Sequence, residues 1–359
     1  MERNLILAVA LSICVYVGWF ALMDRYYPKP PAQAVKSASV PAGPPAAERG
    51  DSEGRSSMAP AASLNAGAGR SRSAAPTPEA EEESWEFRSG GLGVSVRADG
   101  AALSGFRYPG PLGRVELIPH PEPGFLSTLP ELRFAPDQAT ARLASGRPSG
   151  PEADSFVFLA EHASGASIRK EYRFDPKTLL HTLRLTFSNP RKEPFDLPAW
   201  ELSLGPGLGT VASELKENSS QWRALALMPP AAGRTQDRIE TFKVKEEPLA
   251  HEKPWKWLAV ENRYFLAAVF PPEDRFSGYR TGAAKVGKEA ALAPWLKAQA
   301  LPSRLEPGAA LTLDIPFYLG PKSYTAMQGL GLGLERSVDF GWFTRLGRFA
   351  LKVLHRLYH

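Results

Sequence analysis

Six histidines, His120, His162, His181, His251, His355 and His359, are the side chains best suited to moving protons near neutral pH. Acid–base catalysis would need one of them within reach of a carboxylate. His181 stands in a strand-like run whose neighbours Leu180 and Leu183 point to a core position, and His120 and His251 fall in turns. None has a sequence context that marks a catalytic pair. HExxH and CxxC spacings are absent, so no metal ligand set is assigned. Gly329, Gly331 and Gly333 (GLGLG) follow no strand of a βαβ unit and read as loose packing or an irregular helix; there is no Walker loop. Trp255, Trp257 and Trp295 read as core or cleft-lining aromatics, with a peptide or sugar platform as the alternative. Catalytic, cofactor-binding and metal-ligating residues are therefore all set at none.

The chemistry these residues do support is adsorption to lipid. In residues 338–359 (VDFGWFTRLGRFALKVLHRLYH), Trp342, Phe343, Leu346, Phe349, Val353 and Leu357 recur at the spacing of one helical face, while Arg345, Arg348, Lys352 and Arg356 fall on the other. Such a helix lies flat in a membrane interface, each cation gaining about 1 kcal/mol from anionic lipid. A terminal helix packed on its own domain and a calmodulin-like target are the alternatives; the uninterrupted cationic face favours the membrane. Residues 5–23 (LILAVALSICVYVGWFALM) carry no charge and are long enough to cross most of a bilayer core of about 30 Å. Trp19, Tyr26 and Tyr27 sit where an aromatic belt would be, and Pro28 and Pro30 stop the helix. The length of the run and the bulky tyrosines speak for an uncleaved anchor over a signal peptide. A short N-tail before a large soluble body suggests N-inside, with the body outside the cytoplasm.

Residues 28–83, dense in Pro, Ala, Ser and Gly, bury too little to offset the entropy of ordering and should form a flexible tether. The one cysteine, Cys14, lies inside the apolar span, so the body must hold itself together by burial alone. The net charge of +5 is modest and the basic residues are scattered, which excludes a nucleic-acid signature. From Ser84 to about Pro321 the chain reads as strands: Leu92, Val94 and Val96, then Phe156 and Phe158, then Ile168, Tyr172 and Phe174, then Leu180, Leu183, Leu185 and Phe187 alternate with polar neighbours. Asp99-Gly100, Pro109-Gly110, Asp175-Pro176, Asn189-Pro190 and Pro307-Gly308 mark turns, and no helix-period run of useful length precedes Ser323. The expected fold is mainly β, a large antiparallel sandwich.

Several stretches resemble the YidC/Oxa family of membrane protein insertases, in the form with a large periplasmic domain. They are the hairpin from Leu92 to Leu103, residues 172–190 (YRFDPKTLLHTLRLTFSNP) as a long central strand pair, and residues 257–271 (WLAVENRYFLAAVFP), with Tyr264-Phe265 inside a buried strand. Most specific is the ordered set of Tyr318-Leu319-Gly320-Pro321-Lys322, a helical stretch, Asp339-Phe340-Gly341-Trp342-Phe343 and the amphipathic helix. The resemblance implies a galactose-mutarotase-like β-supersandwich closed by a C-terminal helix. It further implies the inner membrane of a Gram-negative-type cell, single-pass with the domain in the periplasm, and no cofactor.

The division that follows is 1–27 tail and anchor, 28–83 linker, 84–336 periplasmic domain and 337–359 interfacial helix. In the family, five transmembrane helices after the amphipathic helix build the insertase groove, with an Arg that receives hydrophilic segments. The chain stops at His359, and it carries Phe349 where many members have a proline. A truncated product, one half of a split insertase and a stand-alone anchored domain all fit. The expected role is a periplasmic scaffold or chaperone module for inserting membrane proteins. Implied partners are the lipid bilayer, SecYEG and SecDF, nascent membrane proteins and a separately encoded helical half. A peptide- or carbohydrate-binding module is the alternative. Sugar epimerases share the implied fold, but fold does not carry function, and no histidine here has the needed context, so an enzyme is not expected.

Overall fold

The computed structural model describes residues 83–338 apart from 111–112, 121, 123, 145–152 and 253. The expected membrane span at 5–23, the tether up to residue 82, and the terminal helix carrying Trp342 to Leu357 lie outside the described residues. Among the described residues no helix is long and apolar enough to cross a membrane.

The first half of the chain forms strands Ser84–Ser89 (β1), Leu92–Arg97 (β2), Leu103–Gly110 (β3), Gly113–Glu116 (β4) and Ala135–Pro136 (β5), then helix Gln138–Ala144 (α1). Strands Ser155–Glu161 (β6), Ser167–Arg173 (β7), Leu180–Ser188 (β8), Phe195–Leu197 (β9) and Glu201–Leu204 (β10) follow. The second half adds Arg223–Met228 (β11), Arg238–Phe242 (β12), Leu249–His251 (β13), Trp257–Glu261 (β14) and Phe265–Val269 (β15). It ends with Phe276–Val286 (β16), Ala291–Ala300 (β17), Ser303–Leu305 (β18), Ala310–Pro321 (β19) and helix Tyr324–Gly329 (α2).

Nine strands make one antiparallel sheet in the order β12-β11-β14-β15-β19-β8-β7-β6-β5, and two four-stranded sheets, β1-β2-β3-β4 and β10-β17-β16-β13, lie over it. The first small sheet meets the large one through rings: Phe87 against Phe156 at 4.4 Å and Phe106 against Phe174 at 6.1 Å. The second packs through β17 on β14 and β11. The protein is thus mainly β, a sandwich whose two smaller sheets share one broad partner.

Burial follows the alternation read in the sequence, with one exception, Leu180, which falls on the opposite face of β8 from Leu183 and is half-buried, and one addition. Along β7, Ile168, Lys170 and Tyr172 all point inward, and Lys170 is completely buried. Its ammonium donates to the carbonyls of Gly100 and Leu126 and to Thr128 Oγ1. The turns it holds contain Ala101, Leu126 and Leu129, three non-glycine residues with positive φ. Such backbone costs on the order of 1–3 kcal/mol per residue and persists only where its surroundings fix it. Burial without a carboxylate partner holds the Lys170 pKa well below the ordinary lysine range.

β14 and β15 are buried on both faces, as their unbroken apolar runs require. The second covering layer is the closing segment after β19: α2, capped by Ser323 Oγ accepting from Ala326 N, then a 3-10 turn over Leu334–Ser337. Trp257 Nε1 donates to Leu332 O at 3.2 Å, and Arg336 Nη1 to Asp237 O at 3.0 Å. The closing helix is only six residues long.

One short helix precedes Ser323: α1, capped by Asp137 Oδ1 accepting from Thr140 N at 2.7 Å, has seven residues, too few to show a period. Two expectations are corrected. His251 is in strand β13, stacked on Tyr279 at 4.8 Å, and not in a turn. Tyr264 lies in the β14–β15 turn, 37% exposed, and only Phe265 enters the buried strand.

Candidate functional site

The two stretches singled out by sequence, 257–271 and 318–322, are neighbours in space. β15 pairs with β19 from Phe265 opposite Pro321 to Val269 opposite Phe317. Beyond the ladder, Lys322 N donates to Tyr264 O, and Lys322 Nζ meets Glu261 Oε2 at 2.7 Å with both side chains buried.

The β14–β15 turn is built on Asn262. Its Oδ1 accepts from the backbone of Tyr264 at 3.0 Å and Phe265 at 2.8 Å, an Asx arrangement that closes the turn. Its Nδ2 donates to Gly209 O at 2.8 Å and Asn218 Oδ1 at 2.9 Å. Asn218 Nδ2 and Trp222 Nε1 both donate to Leu208 O, at 2.7 and 2.8 Å. This buried network fastens the irregular segment 207–222 to the sheet. Gly209 fastens it to β4 as well: its N–H donates to Leu117 O at 3.0 Å, and a methyl group there would stand 1.9 Å from Glu116 O. Only glycine allows that approach.

These fixings leave a cleft of about 940 Å³ between the β3–β4 hairpin, the segment after Gly209, and the β16–β17 hairpin tip. Tyr108, Phe265, Val211 and Trp222 supply apolar wall; Arg114, Lys216, Lys288 and Glu289 line it as charged side chains. Tyr108 meets Phe265 edge-on at 6.3 Å, and His120 meets Trp222 at 6.0 Å and 85°. Burial lowers the His120 pKa, so its imidazole is neutral at pH 7. Glu116, also in the wall, is engaged: Oε1 accepts from Phe106 N at 2.6 Å and Ile118 N at 3.0 Å, and Oε2 lies 3.5 Å from Arg107 Nε. The arrangement can hold an amphipathic ligand.

The other histidines lie elsewhere. His181 is sealed among Phe106, Phe174 and Phe317, ring centroids 5.0–5.8 Å away, with Nδ1 accepting from Asp175 N and Nε2 without a partner. Desolvation pushes its pKa down to about 3. His162 is tied to Ser164 at 2.8 Å. His355 and His359 lie outside the described residues. Trp255 and Trp257 are core, and Trp295 is half-buried over Gly282, so none of the three lines the cleft. The indole that does is Trp222, unremarked in sequence because it sits in an irregular segment with no period.

Comparison with known proteins fits this geometry. Residues 112–353 match the family model described as the YidC periplasmic domain, which takes in the cleft lining from Gly113 onward, both joined stretches and the closing segment. The chain belongs to that family. Among relatives named membrane protein insertase YidC, that of Endomicrobium trichonymphae is 35% identical over 205 residues, 56% of this chain and 36% of the relative. That of Anaeromyxobacter sp. strain K is 29% identical over 301 residues, 77% of this chain and 50% of the relative. The chain thus spans half or less of these relatives. Among solved structures, a galactose mutarotase related enzyme from Lactobacillus acidophilus is 9% identical with a TM-score of 0.41, over 66% of this chain and 97% of that one. A putative aldose 1-epimerase from Escherichia coli K12 is 12% identical with a TM-score of 0.38, over 67% and 99%.

Proposed function

We propose that this chain is the amino-terminal part of a YidC-type insertase. Its sandwich stands at the periplasmic side of the inner membrane and supports the insertion and folding of membrane proteins as a scaffold, without catalysis of its own. The match of residues 112–353 to the YidC periplasmic domain carries this reading. The proposed division is an anchor within 1–27, a tether over 28–83, the sandwich over 84–336 and an interfacial helix from 337, with Trp342, Phe343, Leu346, Phe349, Val353 and Leu357 in lipid and Arg345, Arg348, Lys352 and Arg356 toward headgroups. Partners under this reading are the bilayer, inserting chains, SecYEG or SecDF, and a helical insertase half.

The test is made in native membranes. Protease added to spheroplasts should reach the sandwich, and crosslinking should recover Sec components or a helical insertase half. A sandwich protected until the inner membrane is opened would overturn the proposed location, and recovery of neither partner would overturn the scaffold role. Replacing Arg345, Arg348, Lys352 and Arg356 by Glu should abolish binding of the terminal helix to vesicles rich in phosphatidylglycerol.

A further inference from the structure

The edge of β4, covered by Gly209 at Glu116 and open at Arg114, forms one wall of the cleft. In an antiparallel ladder, residues alternately direct their N–H and C=O toward the partner strand and away from it. Leu117 N donates to Phe106 O, and the register sets Val115 opposite Tyr108 and Arg114 opposite Pro109. The N–H and C=O of Arg114 therefore point away from β3, and among the described residues no backbone group pairs with them. An unpaired edge of this kind accepts an added strand, with main-chain bonds for affinity and side-chain pockets for selection. The pocket is already present in the rings of Trp222, Phe265 and Tyr108.

Charge then narrows the occupant. Arg114, Lys216 and Lys288 are exposed on the cleft, and none has an ion-pair partner among the described residues. Of the two carboxylates lining the cleft, Glu116 is held by backbone N–H groups, which leaves Glu289 as the free anion against three cations.

We infer that this cleft binds an extended acidic segment of another polypeptide, added as a strand to the edge of β4 with apolar side chains against Trp222 and Phe265 and carboxylates at Arg114, Lys216 and Lys288. The inference deepens the proposed scaffold role by giving it a ligand class. Its test is independent of insertion, because it uses the purified full chain in detergent micelles.

The probe is a fluorescein-labelled ten-residue peptide of alternating valine and glutamate, followed by anisotropy, with a lysine-for-glutamate peptide as control. Saturable binding of the glutamate peptide alone is expected, weakened about tenfold by Lys216→Glu with Lys288→Glu. Arg114→Pro should weaken it further than Arg114→Ala, since proline also removes the outward N–H without touching the ladder to β3. Equal binding of both peptides, indifference to the double charge reversal, or equal effects of Arg114→Pro and Arg114→Ala would each overturn the inference. So would displacement of the peptide by stoichiometric phosphatidylglycerol, which would make the cleft a lipid site. With protease accessibility and crosslinks unchanged, any of these results leaves the proposed function standing.

Discussion

Lys170 donates its ammonium to the carbonyl of Leu126, a residue held at φ +57° on a loop of the opposing layer. The contact joins the large sheet to the turns beneath the first small one, across 44 residues of sequence. Lys170→Met keeps the volume but leaves the buried carbonyl of Leu126 without its donor and that of Gly100 with only the long bond from Thr128 N at 3.4 Å. A loss of about 3 kcal/mol is expected, at about 1–3 kcal/mol for each unsatisfied group. Denaturant unfolding followed by tryptophan fluorescence measures it; a loss under 1 kcal/mol would show that the turns hold themselves.

His181 predicts an acid limit to stability. Its folded pKa of about 3 lies below the unfolded value near 6.5, so the unfolded state binds the extra proton between them. Its contribution is complete above pH 6.5 and declines as pH falls toward 3, by on the order of 4 kcal/mol at the lower end. His181→Gln should flatten the unfolding profile between pH 6.5 and 4, where the native protein's stability slopes downward toward acid.

Asn262 offers an isosteric test of the network behind the cleft. Asn262→Asp keeps the acceptor for Tyr264 and Phe265 but turns the donor toward Gly209 O and Asn218 Oδ1 into a second acceptor. At pH 7 the variant should lose about 2–4 kcal/mol. Its carboxyl pKa in the folded state is raised, so stability returns as pH falls through that value. Thermal melts at pH 7 and pH 5 separate this from a simple packing defect, which would not recover.

Glu261 and Lys322 form a buried pair between the two stretches that carry the family resemblance. Lys322→Met alone should cost about 3–5 kcal/mol by leaving a carboxylate in the interior without this ammonium. Adding Glu261→Leu should return more than half of that. If the double variant is no better than the single, the pair acts through Asn262 and the turn, and not through its own charges.

How much of this was legible beforehand depends on what kind of contact decides each part. Phe156, Phe158, Leu183 and Leu185 alternate because one face of each strand is buried, and that pattern shows in a single sequence. The same pattern concealed Lys170, since a lysine at an inward position looks like a break until its three acceptors are seen to come from remote turns. β1 is harder to read because only two of its three inward residues, Trp85, Phe87 and Ser89, are apolar; the Gly90-Gly91 turn after it, both at positive φ, is the available signal. The joined motifs at 257–271 and 318–322 were recognisable, yet not their pairing, which is a long-range register. The cleft is invisible for the same reason: Arg114 on β4, Gly209 and Trp222 on the irregular segment, and Lys288 at the β16–β17 tip come from three segments with no common period.

The closing segment leaves β19 at Pro321 and then crosses to Trp257 on β14 and to Asp237 beside β12. Mechanical tension applied beyond Val338 would therefore meet anchorage on neighbouring strands before it could peel β19 from its ladder. The load is distributed across the sheet like that of a stitched hem, and a pull from that side reaches the interior as shear.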